Sequence, residues 1–295
     1  MSNRTKGTLC LVASAFGFAA MGMFVRLADD FGGPVSCFQK GFFRNLVAVV
    51  IAAALFARGS RDSRGHSGHA ESQPSRPTSN WLLLVLRSTL GTAGIFLNFH
   101  AISHIPLADA MMLNKLAPFF TVAFSWMFLG EKLRLGQAAC LFGAILGAAF
   151  VVKPGFATAA FFPALCGFAG GICAGGAYAC VHALGRRQVD PRLIVLFFSL
   201  FSCLASVPFM AADFAPMTSA QVWTLIGAGA TAAMGQFGVT AAYRFAEPRS
   251  IAVWDYTNIL FAALFGLSLF GQMPDVFSVL GFFAIIISAL MLRRV

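Results

Sequence analysis

The chain has 295 residues, 58% of them hydrophobic and 11% charged, with a formal net charge of +10. A soluble domain of this length carries about a quarter charged residues, so there is too little polar surface here to cover a water-facing globule. The excess of positive charge does not mark a nucleic-acid binder, because the basic residues bracket apolar runs and are not interleaved with aromatics on a polar face.

Apolar runs near the ~20 residues that cross a bilayer recur ten times, over 7–29, 34–57, 81–103, 106–129, 134–152, 160–184, 192–212, 221–243, 249–270 and 276–292. The first follows Arg4 and Lys6 without a small-residue cleavage site and reads as a retained helix, not a signal peptide. Between the second and third lies a long polar stretch, 58–80, rich in Ser, Gly, Arg and His. Its His66 and His69, three residues apart with no cysteine nearby, fit a solvated linker better than a metal site. The fourth segment is apolar from Ala110 to Leu129 except for MMLNKLAPFF, which sets Lys115 about 14 Å from Pro106 by helical rise. In the sixth, Cys166, Cys173 and Cys180 recur every seven residues beside Gly167, Gly171 and Gly175, which reads as small-residue packing between helices and not as a ligand stripe. No CxxC pair occurs among the seven cysteines, so neither a zinc site nor a disulfide framework is indicated, and no cofactor is expected.

Ten crossings with the N-terminus inside collect Arg4, Lys6, Arg58, Arg61, Arg64, Arg76, Lys132, Arg134, Arg186, Arg187, Arg192, Arg244, Arg249, Arg293 and Arg294 on the inner side, against Lys153 alone outside. That asymmetry is the positive-inside pattern. It predicts an all-α integral membrane protein with both termini cytoplasmic, in a bacterial inner membrane.

The second half of the chain is similar to the first. Ala101 overlies Ala242, Phe120 overlies Phe261, Gly130 overlies Gly271, and FLGEKL (128–133) overlies LFGQMP (269–274), all at one offset. Five helices per half is an odd number, so the second copy enters the membrane from the opposite side, and the halves 1–155 and 156–295 form an inverted repeat. Many secondary transporters build two related gates around one midplane site in this way.

FFRN (42–45), LRSTLG (86–91), AISHIPLADA (101–110), LAPFF (116–120), LGEKL (129–133) and VVKPG (151–155) resemble the first repeat of EamA-type members of the drug/metabolite transporter superfamily. Repeat two departs from the pattern where Gln272 stands in the place of the Glu131-type residue. The resemblance implies ten transmembrane helices as two inverted five-helix repeats, a basket around a central cavity with the fifth and tenth helices peripheral. It implies no particular substrate.

Five basic residues fall inside the segments. Arg26 has Asp29 and Asp30 three and four residues on, and a surface helix pair explains it. Lys40 and Arg44 share a face of the second segment, and Arg87 lies near the inner end of the third; capping or snorkelling would account for the arginines equally well. Lys115 is too deep to snorkel, and Pro118 leaves the Asn114 carbonyl without its helical donor beside it. Asp255 overlies Asn114 at the repeat offset and is the candidate ion-pair partner of Lys115. Asn98, His100, Tyr178, Gln236, Trp254 and Asn258 complete the polar inventory. If all of these charges face inward, Lys40, Arg44, Arg87 and Lys115 against Asp255 leave the interior at +3, a field that favours an anion or a zwitterion. Lys115 is then the expected anchor for the anionic group, and Asp255, unless it pairs with Lys115, the expected coupling site.

The expectation is a secondary transporter for a small anionic or zwitterionic metabolite, such as an amino acid or organic acid. A coupling proton or ion, a monomer or a homodimer, and a cationic or neutral solute all stay open. No GxxxxGK[ST] loop argues for ATP hydrolysis. An integral-membrane enzyme would draw on His100, His104 and Asp109, but His104 and Asp109 sit at an outer helix turn expected to be wet. A channel would want ringed charges where these are lone.

Overall fold

The computed structural model describes residues 3–62, 77–130, 132–153, 159–245, 252–292 and 294; Arg64, His66, His69, Arg76, Glu131, Arg249 and Arg293 lie outside them. The described residues are almost entirely helical: α1 (Asn3–Asp30), α2 (Cys37–Asp62), α3 (Pro77–His104), α4 (Leu107–Asn114), α5 (Ala117–Leu129), α6 (Leu135–Val152), α7 (Phe161–Arg186), α8 (Pro191–Ala212), α9 (Ser219–Phe245), a 3-10 turn (Ala252–Tyr256), α10 (Thr257–Phe270) and α11 (Val276–Leu292). Among the described residues six helices are long and apolar enough to cross a membrane, counting α4–α5 as one, and two shorter apolar helices span 254–270 and 276–292. With α2 and α9 they reproduce the ten-segment order, with two segments broken in the middle.

The fourth segment breaks for the reason its proline gives. Pro118 has no N–H to offer the carbonyl four residues back, so α4 stops at Asn114 and α5 starts at Ala117. The Lys115 N–H turns back to the Met111 and Met112 carbonyls at 3.2 and 3.0 Å, and the Leu116 N–H to Leu113 at 3.2 Å. The ninth segment breaks at the matching place, where the 3-10 turn holding Asp255 runs into α10. Both broken segments end alike. Gly130 and Gly271 take left-handed φ values of 68° and 61°, which glycine adopts without strain, and their N–H groups close on Ser125 and Gly266.

Packing repeats in the same two-fold manner. α1 lies on α9 and α3 on α7; α2 lies on α8 and α6 on α11; α10 packs on α1 as α4 and α5 pack on α7. Exchanging the first five segments for the last five turns α1–α9 into α3–α7 and α1–α10 into the packing of α4 and α5 on α7, and maps α2–α8 and α6–α11 onto themselves. Small residues allow the close approaches. A Cβ on Gly147 would fall 2.9 Å from the Gly281 carbonyl oxygen, and one on Gly281 2.6 Å from that of Gly147, so α6 and α11 meet backbone to backbone. The glycine line on α7 does the same against the broken helix: a Cβ at Gly171 would lie 2.6 Å from the Leu113 carbonyl oxygen. All seven cysteines are free thiols.

Candidate substrate-binding site

The two helix breaks face each other through one contact. Lys115, at the end of α4, donates from Nζ to Asp255 Oδ2 at 2.5 Å, with the two side chains 16% and 29% exposed. The lysine therefore has its ion-pair partner in the opposite half of the chain.

Lys40, in the first turn of α2, has its own counter-charge at the α1–α2 turn. It is fully buried, with Nζ 2.6 Å from Asp29 Oδ2 and 2.6 Å from Ser103 Oγ. Asp29 also accepts from the Val35 N–H at 2.9 Å, tying the α1–α2 turn to the same carboxylate. This corrects the expected surface pair of Arg26 with Asp29 and Asp30. Arg26 instead donates to the carbonyls of Ile102 and Ile105 at 2.9 and 2.6 Å, capping the end of α3, with its guanidinium 5.3 Å from the Phe270 ring centroid. The α3 C-terminus needs donors more than Asp29 needs a second cation.

Arg44 and Arg87 remain as deep cations. Neither has a carboxylate within ion-pair distance among the described residues. Arg44 donates to its neighbour Asn45 at 2.7 Å, Arg87 lies 3.8 Å from the Phe198 ring centroid, and the Nε of each is buried without a hydrogen-bond partner. Gly91, one turn beyond Arg87, makes room for the guanidinium, since a Cβ there would fall 2.3 Å from it. Tyr178 on α7 is half exposed. With Lys40 and Lys115 each matched by an aspartate, the predicted interior excess shrinks to these two guanidiniums.

The other candidates separate. Asn98 is buried between α3 and α4, its amide 3.5 Å from the Ala110 carbonyl, and Asn258 is buried with its amide donating to Ala15 at 2.9 Å. Both join helices to each other. His100 packs 4.3 Å from the exposed His104 ring and edge-on to Phe162. Gln236 and Trp254 are exposed, and Asn114 is half-buried at the α4 terminus.

Two arrangements were not foreseen. Asp109, expected to be wet, is 4% exposed, and Ser278 at the start of α11 donates to its Oδ2 at 3.0 Å. Beside it Lys153 pairs with Asp275 at 2.5 Å. Burial alone would push the Asp275 carboxyl up, but the Lys153 ammonium and the Ser278 N–H, 2.8 Å away, outweigh it and hold Asp275 below the usual carboxylate range. The second surprise is Gln272, whose Oε1 accepts the Leu107 N–H at 3.1 Å. The residue that departs from the repeat pattern thus caps the start of α4 from the other half of the chain.

Residues 5–153 match the EamA-like transporter family. The chain is 28% identical over 289 residues to a pseudopaline exporter, CntI, of Pseudomonas aeruginosa, covering 98% of this chain and 96% of that one. It is 26% identical over 275 residues to a riboflavin transporter of Brucella anthropi, covering 90% of each. A crystal structure superposes on 95% of this chain and 96% of its own with a TM-score of 0.59 at 20% identity, a likeness that shows the fold alone.

Proposed function

We propose that this chain, which belongs to the EamA-like transporter family, is a secondary carrier that moves a small anionic or zwitterionic metabolite by alternating access. Transport, and not catalysis, is the activity of the family and of the relatives above. The halves 1–155 and 156–295 act as inverted repeats, each contributing one broken helix whose free carbonyls and charges lie at the same depth. What supports alternating access is the pairwise exchange of helix contacts between halves, which makes a second, inverted packing of the same surfaces available.

The observation that carries the substrate class is the pair Arg44 and Arg87. Two part-buried guanidiniums with buried, unmatched Nε groups favour a carboxylate or phosphate, which accepts from several N–H groups at once. A zwitterion has a second opportunity at Lys115–Asp255, whose two charges it can separate by offering its own in their place. The test is thermal stabilisation of the purified protein by a panel of anionic, zwitterionic, cationic and neutral metabolites. Anions or zwitterions should stabilise it, and Arg87→Met should weaken their binding about 10- to 100-fold, the loss of one or two charge-assisted hydrogen bonds. Stabilisation by cations alone, surviving in Arg87→Met, overturns the reading.

Orientation follows from the basic residues. Both termini and the stretch 58–80 are assigned to the cytoplasm, and Lys153 to the outside. Single cysteines placed in 58–80 of a cysteine-free variant should be shielded from an impermeant thiol reagent in intact cells and react after lysis. Reaction in intact cells would reverse the topology.

A further inference from the structure

Asp109 holds one carboxylate oxygen that nothing in the described residues satisfies. Its Oδ2 accepts from Ser278, while Oδ1 is buried with no partner. A stranded acceptor of this kind costs about 1–3 kcal/mol, and more when charged, so the carboxylate needs a counter-ion or a reason to do without one. It lines a cavity of about 100 Å³ shared with Pro106, Val152, Lys153, Met273 and Asp275. That volume has room for an ion and a few waters.

The charges around the cavity do not balance. Lys153 is the one cation facing it among the described residues, and it is 2.5 Å from Asp275. Two aspartates against one lysine leave a net charge of −1, located at Asp109. Other elements packed around the site do not supply the missing charge. The α3–α4 turn contributes Ile105 and Pro106, the start of α7 contributes Ala160 and Ala164, and α11 contributes the Ser278 hydroxyl. Arg26 on α1 approaches the same turn but is committed to the Ile102 and Ile105 carbonyls. The sequence of α10 contains no charged residue. In addition, α6 ends at this cavity, and the carbonyls of a last helical turn lack intrahelical donors. Oxygen acceptors and a net negative charge converge where no cation is supplied by the chain.

We propose that the Asp109 cavity is a site for one monovalent inorganic cation, a proton or a sodium ion, taken up from the end of the bundle that carries Lys153. Its use as a coupling site rests on the carrier reading; its existence does not. Because Asp109 opens α4 and Ser278 belongs to α11, occupancy neutralises the contact between the broken helix and the peripheral α6–α11 pair. Asp255, tied to Lys115, leaves this role to Asp109.

The experiment uses the full chain in detergent or proteoliposomes without any substrate, reading the thermal unfolding midpoint. In one arm sodium chloride replaces choline chloride at constant ionic strength and pH; in the other, pH is varied without sodium. The wild type should gain several degrees on Asp109→Asn as sodium rises or as pH falls, according to which cation the site takes, and Asp255→Asn should keep that response. Comparison with Asp109→Asn removes the opposite trend at low pH contributed by Asp275, whose ion pair is lost on protonation. Ser278→Ala keeps the carboxylate and so decides the matter if Asp109→Asn fails to fold. Losing a donor to the ionised form should move the proton half-response to higher pH, and losing the hydroxyl oxygen should move the sodium half-response to higher concentration, each about tenfold. A wild type insensitive to both cations, a response unchanged in Asp109→Asn, or a half-response unmoved in Ser278→Ala overturns the proposal. None of these outcomes bears on the anion panel, so the carrier reading is judged separately.

Discussion

Lys115→Met and Asp255→Asn should each destabilise the folded protein by about 2–3 kcal/mol, and the double variant should recover most of that loss. The side chains are only 16% and 29% exposed, so removing one charge leaves the other poorly solvated and unmatched beside a helix break where Pro118 leaves the Asn114 carbonyl without its helical donor. Removing both leaves two uncharged side chains of similar volume facing each other. The coupling is therefore expected to be of opposite sign to the single losses and a large fraction of either. Unfolding midpoints for the four proteins measure it, and substrate binding in the same set assigns the lysine. Binding destroyed by each single change and rescued in the pair makes the ion pair structural, an internal strut between the halves. Binding lost in Lys115→Met and still lost in the double variant makes the lysine a substrate contact. Losses that simply add would sink the pairing itself.

Why this contact was legible in the sequence and others were not comes down to how far each signal reaches. The break at Lys115 is local: Pro118 lacks an N–H, and one missing donor ends α4 at Asn114. Asp255 could be named because the repeat offset carries that depth to the other half. The glycine line on α7 and the paired Gly130 and Gly271 turns follow from spacing in the same way. Lys40–Asp29 was missed because the partners are eleven residues apart across an interhelical turn, while helical spacing points Asp29 at Arg26. Carbonyl demand at the end of α3 draws that arginine away, and no pattern within α1 records it. Asp109 was misplaced for a related reason. A helix start after Pro106 looks wet in sequence, and its burial depends on elements distant in the chain, among them the start of α11, whose Ser278 donates to Asp109. Local rules gave the segments, the breaks and the caps; the partners of the buried charges depend on which helices meet.

The meeting of α7 with the broken helix supplies the second large effect. Gly175→Ala should cost about 1–3 kcal/mol and Gly175→Leu should abolish accumulation of folded protein. A Cβ at Gly175 would fall 2.4 Å from the Phe120 Cβ and 2.9 Å from the Ala117 carbonyl oxygen. These are atoms of the α5 first turn, and they have little freedom to move. The Thr121 hydroxyl, 2.8 Å from the Ala117 carbonyl of its own helix, also lies 3.1 Å from the Gly175 carbonyl, and this bridge to α7 would be lost if α5 were pushed outward. Helix propensity works in the other direction, since alanine for glycine inside a helix is worth roughly 0.5–1 kcal/mol in its favour. The control separates the two. Gly185, on the same helix, has nothing within 4 Å of its Cβ position, so Gly185→Ala should leave stability unchanged or raise it slightly. Displacing α5 also displaces the break at Lys115, five residues from Phe120, so the folded fraction of Gly175→Ala should show a weakened Lys115–Asp255 coupling in the same double-variant cycle. A Gly175→Ala protein as stable as its parent would mean that the contact between α7 and α5 is looser than the observed distances, and that the break is not held in place from this side.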